Sequence, residues 1–266
     1  MPDLSTMPPS RSLRLSPLSF IAYLGFAALL LVSFNDVAPS IPQLVDGVPG
    51  MANLLDRMTP PNLDPAFLKR VALRIIETFQ IALVGAVIGI ILSLPLGWLA
   101  ARGVTPLGRL GYGVKAFISF LRTVPDLVWA LLFVVTVGLG AVAGTMTIIV
   151  DTIGFCGRFF AEAMEDADKE PQEALSAIGA SRISILTGAI LPDAAPSMIN
   201  SSLFALEKAI RSSVVLGLVG AGGIGQELKV AFDLFQYKNA STIILVIFII
   251  VLLMEYLTDR MRARVQ

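Results

Sequence analysis

Long charge-free runs alternate with short polar segments along this chain, and their lengths predict helices that cross a membrane. About 20 apolar residues in a helix span the hydrocarbon layer. The first run lies between Arg14 and Asp36, after Arg11 and Arg14, and reads as an uncleaved anchor rather than a signal peptide. Residues 36–74 are rich in Pro, Asp and Asn and read as an extramembrane connection, with a short surface helix near Pro49–Met58. The second span is expected from about Ile75 to Ala101, with Gly85, Gly89, Ser93 and Gly97 four apart on one face, where another helix can approach closely. Residues 114–166 hold Gly138, Gly140 and Gly144 mid-run, which predicts two helices, 114–138 and 143–166, joined by a turn. The fifth span, 194–219, must carry Glu207, Lys208 and Arg211, and the sixth runs from Ala240 to Leu257.

Charge orients these spans. The basic segments are the N-terminus, the loop with Arg102, Arg109 and Lys115, and the tail with Arg260, Arg262 and Arg264. Six spans place all three on the cytoplasmic side, as the positive-inside rule requires, whereas five would separate the two basic ends. The acidic loop after span four (Glu165, Asp166, Asp168, Glu170, Glu173) then also lies inside, and acids weigh little in that rule.

Composition narrows the class. Of 266 residues, 55% are hydrophobic and 15% charged, against about 25% charged in a soluble domain. The expected fold is all-α, a polytopic bundle. The expected domains are 1–74, an anchor helix with its extracytoplasmic loop, and 75–266, the transmembrane core. The net charge is zero, which gives no reason to expect nucleic acid as a partner. Histidine is absent, which removes the commonest general base and metal ligand. The single cysteine, Cys156, sits in an apolar stretch and reads as a packing residue. Neither a catalytic group nor a metal site is expected.

The loop 170–192, EPQEALSAIGASRISILTGAILP, carries the most information. Pro171 suits a helix's first turn and Glu173 the dipole there. Ala174, Leu175 and Ile178 form an apolar face, Gly179 can close the helix, and Ser181 can cap the next. Glu173-Ala174-Leu175, then Gly179, then Leu191-Pro192 resembles the EAA loop of ABC importer permeases, with Leu at the third position. That resemblance covers roughly residues 70–260. Around Phe120–Val134 and Val214–Gly225 it is strongest to the phosphonate-importer (PhnE-type) permeases, and methionine-importer permeases share the glycine-rich end. It implies a type I (MetI-like) importer fold in a bacterial inner membrane. It also implies that Glu173, Ala174, Leu175, Gly179, Leu191 and Pro192 dock on a cytoplasmic ATPase. Implied partners are a second permease subunit, a copy or a paralogue; two ATPase subunits that bind ATP and Mg; and a periplasmic or lipid-anchored binding protein. No GxxxxGK[ST] sequence occurs here to bind ATP.

Other residues invite two readings each. Gly220, Gly222 and Gly225 fit GxGxxG, but a transmembrane helix precedes them where a nucleotide site needs a strand. With Gly223 they are expected to form a tight turn or gate beside the path. On a helix Glu207, Arg211 and Lys208 fall at about 0°, 40° and 100°. They either line a path for an anionic solute, with one surplus positive charge, or lock span five to its neighbours. Arg122, beside Pro125, and Asp151 are counted with the path, although Arg122 suits a structural or gating role and Asp151 would repel an anion. The function expected is permease-mediated uptake of a phosphonate or related phosphorus oxyanion. A permease for another solute such as methionine, a secondary transporter and a membrane enzyme are the alternatives.

Overall fold

The structure, a computed structural model, describes residues 16–38 and 40–263. Arg11, Arg14 and Arg264 of the expected basic ends lie outside the described residues. The chain divides into two compact units, Met1–Leu55 and Asp56–Gln266. In the first, α1 (Pro17–Val37) begins at Ser16, whose side chain accepts from the Ser19 amide, and buries none of its residues. Helix α2 (Ile41–Met58) is longer than the short surface helix expected and contains Pro49.

The second unit is helical throughout its described residues, apart from turns. Its mast is α3 (Pro65–Ala100), capped by Asp64, which accepts from the Phe67 amide, with Pro65 opening the first turn. At 36 residues it is about 54 Å long, against about 30 Å of hydrocarbon. It therefore starts ten residues before the expected Ile75 and carries Lys69, Arg70, Arg74 and Glu77 beyond the apolar layer. The signal was the Asp64-Pro65 pair, which marks a helix start. Three buried clusters lie along α3, around Phe67 and Val71, around Ile81 and Ala86, and around Ala100.

The main neighbour of α3 is α6 (Ala141–Glu165). The four small residues face it as expected. A Cβ on Gly85, Gly89 or Gly97 would stand 2.7, 2.5 and 2.8 Å from side-chain atoms of Ile148, Thr152 and Phe160. Ser93 is fully buried and donates to the Gly89 carbonyl at 2.7 Å. Cys156 is buried in α6, as a packing residue should be.

The expected helix 114–138 is not continuous. It divides into α4 (Gly111–Thr123) and α5 (Asp126–Val137), bent by 87° at Val124-Pro125. Proline has no N–H for the α-helical ladder and pushes the residue before it out of the helical region, and Val124 is extended at ψ 122°. At 13 and 12 residues neither piece crosses a bilayer alone.

Four stretches, Pro17–Met58, α3, α6 and α11 (Tyr237–Arg262), are apolar and long enough to cross a membrane, and the bent pair α4–α5 adds a fifth. Helix α9 (Leu191–Gly217) is long enough but polar, carrying Glu207, Lys208 and Arg211. It packs along α3, α6 and α11, the place of a sixth span. Leu83, Val87, Ile91, Phe248, Ile249 and Leu252 are exposed on α3 and α11. An apolar belt of this kind requires lipid or another helix.

Candidate functional site: a polar α9 core, a glycine turn and a docking loop

Three places hold the candidate residues. The first is the loop between α6 and α9. Helix α7 (Lys169–Ala177) starts two residues before Pro171 and is capped by Asp168, whose side chain accepts from the Glu170 amide. The acid in the first turn is accordingly Glu170, not Glu173. Its end is a complete left-handed closure. Gly179 sits at φ +79°, its amide donates to the Ser176 carbonyl at 3.0 Å, and the Ala180 amide donates to Leu175 at 3.0 Å. Ser181 then caps α8 (Arg182–Ile185), accepting from the Ser184 amide at 3.2 Å.

The apolar face of α7 divides. Ala174 and Ile178 point outward, Ile178 at 80% exposure, while Leu175 is half-buried beside Gly188, where a Cβ would meet it at 3.6 Å. After α8 the chain takes a π turn over Leu186–Ile190. The Leu191 amide reaches back five residues to Leu186, and Pro192 has no amide to restore the four-residue ladder. Asp193 ties the loop to α9 by accepting from the Asp168 amide at 2.8 Å. Sequence reading missed Asp168 and Asp193. Asp168 is legible as a cap residue before a helix, whereas the Asp193 contact is set only by the fold.

The second place is the charged middle of α9. Glu207 accepts from Arg211 at 2.6 Å, as the four-residue spacing predicts, and also from Arg262 of α11 at 2.6 Å. Lys208 turns the other way and donates to Asp151 of α6 at 2.7 Å. Arg158, two turns from Asp151, pairs instead with Glu162 at 2.8 Å. Phe155 and Phe204 stack at 5.4 Å between the two ion-pair groups, with Lys208 over one ring and Arg262 over the other. Arg262 also stands 3.7 Å from Asp259, so the group holds three cations and three carboxylates and the expected surplus of one positive charge is balanced. Arg122 does not join it. Its side chain is exposed, and its backbone lies where a Cβ on Gly154 would stand 3.1 Å away.

The third place is the turn between α9 and α10 (Gly223–Asp233). Gly220, Gly222 and Gly223 have φ of +95°, +83° and +73°, which side chains other than glycine rarely adopt. Gly225 is helical, but a Cβ there would overlap the Val214 carbonyl. All four are buried. The Ile224 amide donates to Thr78 Oγ1 at 2.8 Å, and the Gly140 amide donates to the Gly220 carbonyl at 2.9 Å. A helix precedes the turn and α3 already engages its amide, so it cannot cradle a pyrophosphate in the dinucleotide manner. Beside it Arg74 bonds Glu77 at 2.7 Å. Glu77 Oε1 stands 3.1 Å from where a Gly222 Cβ would be.

Known proteins resemble this chain in sequence and fold. Residues 93–266 match the family described as binding-protein-dependent transport system inner membrane component. The chain is 37% identical over 238 residues to the phosphate-import permease protein PhnE of Mycolicibacterium smegmatis, covering 90% of this chain but only 44% of that one. It is 35% identical over 238 residues to the putative phosphite transport system permease protein HtxC of Stutzerimonas stutzeri, covering 88% of this chain and 83% of that one. Among solved structures, a chain of the MetNI methionine ABC transporter in an inward-facing conformation superposes with a TM-score of 0.65 at 26% identity, over 77% of this chain and all of that one. With the family matched over most of its length and the fold shared with an ABC permease, this chain belongs to the inner membrane components of binding-protein-dependent transport systems.

Proposed function

We propose that this chain forms half of the path through an ABC importer for a phosphorus oxyanion, phosphate, phosphite or phosphonate. The observation that carries the transport reading is the α7–Gly179–α8 joint. In a chain of this family it presents Ala174 and Ile178 outward, on a loop braced to α9 by Asp193. In this reading Glu173, Ala174, Leu175, Gly179, Leu191 and Pro192 couple the path to two cytoplasmic ATPase subunits, which bind ATP and Mg. A second permease subunit, a copy or a paralogue, completes the path, and an extracytoplasmic binding protein delivers the solute. Both chain ends face the cytoplasm, as the basic segments require.

The oxyanion reading draws support from what the mycobacterial and Stutzerimonas relatives are named for, and from Arg211, the most exposed cation of the Glu207, Lys208, Arg211, Asp151, Arg262 and Asp259 group. Its ion pairs lower the insertion cost of each charge, which is about 2.5–3.5 kcal/mol for an isolated one at mid-membrane. Arg122 would act at a distance, through the α4–α5 bend. Gly220, Gly222, Gly223 and Gly225 would close the far end of the path by keeping the turn docked on Thr78.

The test is reconstitution with the cognate ATPase and binding protein, measuring stimulated ATP hydrolysis with methylphosphonate, phosphate, phosphite and methionine. At least one oxyanion is expected to stimulate. Stimulation by methionine and by none of the oxyanions would replace this solute with the one the MetNI likeness suggests. Transport that survives loss of the ATPase would remove the ABC reading altogether.

A further inference from the structure

On the side of the coupling loop lies an open cavity of about 770 Å³, of whose lining the transport reading uses only Glu173. Three separate stretches build it: the loop and helix start after α3, the end of α6, and the α7–α8 pair. Five cations line it, Arg102, Arg109, Lys115, Lys169 and Arg182, against two carboxylates, Glu165 and Glu173. Glu165 is already committed. It accepts from Lys115 at 3.0 Å and from the Arg102 amide at 2.8 Å. The Arg102 guanidinium lies over the Tyr112 ring at 5.3 Å. Arg109, Lys169 and Arg182 have no carboxylate partner among the described residues.

Cations on this face satisfy the positive-inside rule wherever they stand. That rule does not explain why residues up to 80 positions apart in sequence converge on one concave site with a net charge of +3. Like charges gathered around a cavity repel, and an anion held among them would offset that repulsion. Two arginines supply planar donors suited to the oxygens of a phosphoryl group, and Lys169 adds a compact charge. Helix α7 meets the cavity along Lys169, Gln172, Glu173 and Ser176, one face by helical spacing, and leaves Ala174 and Ile178 on the opposite side. An anion in the cavity and a partner on the apolar face could therefore occupy α7 together.

We propose that this cavity is a binding site for a phosphoryl-class oxyanion, presented by free phosphate or phosphonate or by an anionic lipid headgroup. The placement on the cytoplasmic side rests on the function proposed above, and the site does not. Its occupant would bridge Arg109 and Arg182 to Lys169, and so brace the coupling helix against the loop after α3.

The experiment uses the full purified chain in nanodiscs. Inorganic phosphate is titrated calorimetrically in discs of phosphatidylcholine alone, and retained phosphatidylglycerol is counted by native mass spectrometry from mixed discs. The variants are Arg109→Gln alone, Arg109→Gln with Lys169→Gln and Arg182→Gln, and Lys69→Gln as a control at the far end of α3. One phosphate or one phosphatidylglycerol per chain is expected. Phosphate affinity or lipid retention should fall at least tenfold in the triple variant and severalfold in Arg109→Gln, with Lys69→Gln unchanged. Loss of phosphate binding identifies a free anion as the ligand, and loss of lipid retention identifies the headgroup. Binding of neither by the natural chain, or equal binding by the triple variant and the control, overturns the site. Because no arm measures uptake, a chain that binds phosphate here yet imports methionine would refute the function and leave this site standing.

Discussion

Glu207 offers the sharpest test of how this fold handles charge inside a membrane. Its carboxylate receives two arginines at the same distance, 2.6 Å, but in unlike surroundings. The Glu207 side chain is 12% exposed, Arg262 23% and Arg211 58%. Two unit charges about 4 Å apart attract by about 4 kcal/mol at an effective dielectric of 20 and by about 1 kcal/mol in water. The better buried pair also loses more solvation, so its net coupling is expected near 1–2 kcal/mol, within the range of polar pairs in membrane proteins. The exposed Arg211 pair should couple by no more than about 0.5 kcal/mol, as an open four-residue helix pair does. Two double-mutant cycles separate them, Glu207→Gln with Arg262→Gln and Glu207→Gln with Arg211→Gln. Unfolding free energy of the purified chain in mixed micelles is the readout. Expected is an Arg262 coupling at least twice that of Arg211. Equal couplings, or a larger one to Arg211, would refute the argument from burial. Uptake by the Arg211→Ala and Glu207→Gln variants then separates path from lock. Normal transport by both, once assembled, would remove them from the path.

Three further substitutions follow from the geometry. Gly225→Ala should abolish stable insertion or assembly, because its Cβ overlaps the Val214 carbonyl, while Gly113→Ala, with nothing within 4 Å, should express like the natural chain; equal yields of the two on gel filtration would contradict this packing. Thr78→Val keeps the shape but strips the acceptor from the buried Ile224 amide, a loss of about 1–3 kcal/mol that should appear as faster hydrogen exchange at the Gly220–Ile224 turn. Gly179→Ala meets no steric obstacle but must hold φ +79°, costing about 1 kcal/mol; the chain should fold normally yet stimulate its ATPase less, and full stimulation would show that the joint tolerates another geometry.

What could be read from the sequence is what one segment dictates alone. Charge-free runs placed α1 and α11 because lipid tests each helix separately, Gly138 and Gly140 marked the turn before α6, and the four-residue glycine spacing gave the α3–α6 seam because the small face belongs to α3 by itself. Gly179 and Ser181 announced their joint for the same reason, since φ and capping are local. Two misses were local, the Asp64-Pro65 start of α3 and the Asp168 cap of α7, and the others need a second segment. Pro125 forecasts a break but not its angle. The 87° bend follows from where α4 and α5 each pack on α6, with Ile118 against Gly157 and the Arg122 backbone against Gly154. Asp151 finds Lys208 across 57 residues and Glu207 finds Arg262 across 55, and no spacing rule reaches that far.

The charge count on α9 changes for the same reason. Sequence reading counted one carboxylate and two cations on α9; the fold adds Asp151, Arg262 and Asp259, one cation and two carboxylates, so the expected excess of one positive charge is balanced. What remains is one cation open to its surroundings. Lys208 is engaged by Asp151, and Arg262 is held between Glu207 and the Phe204 ring, leaving Arg211 as the cation of the group with most of its side chain in the open. A structural lock and a path lining are therefore not rival readings of the same atoms. The buried pair fixes the Glu207 carboxylate, and the fixed carboxylate orients an exposed guanidinium, which in the proposed path would be the donor offered to a tetrahedral oxyanion.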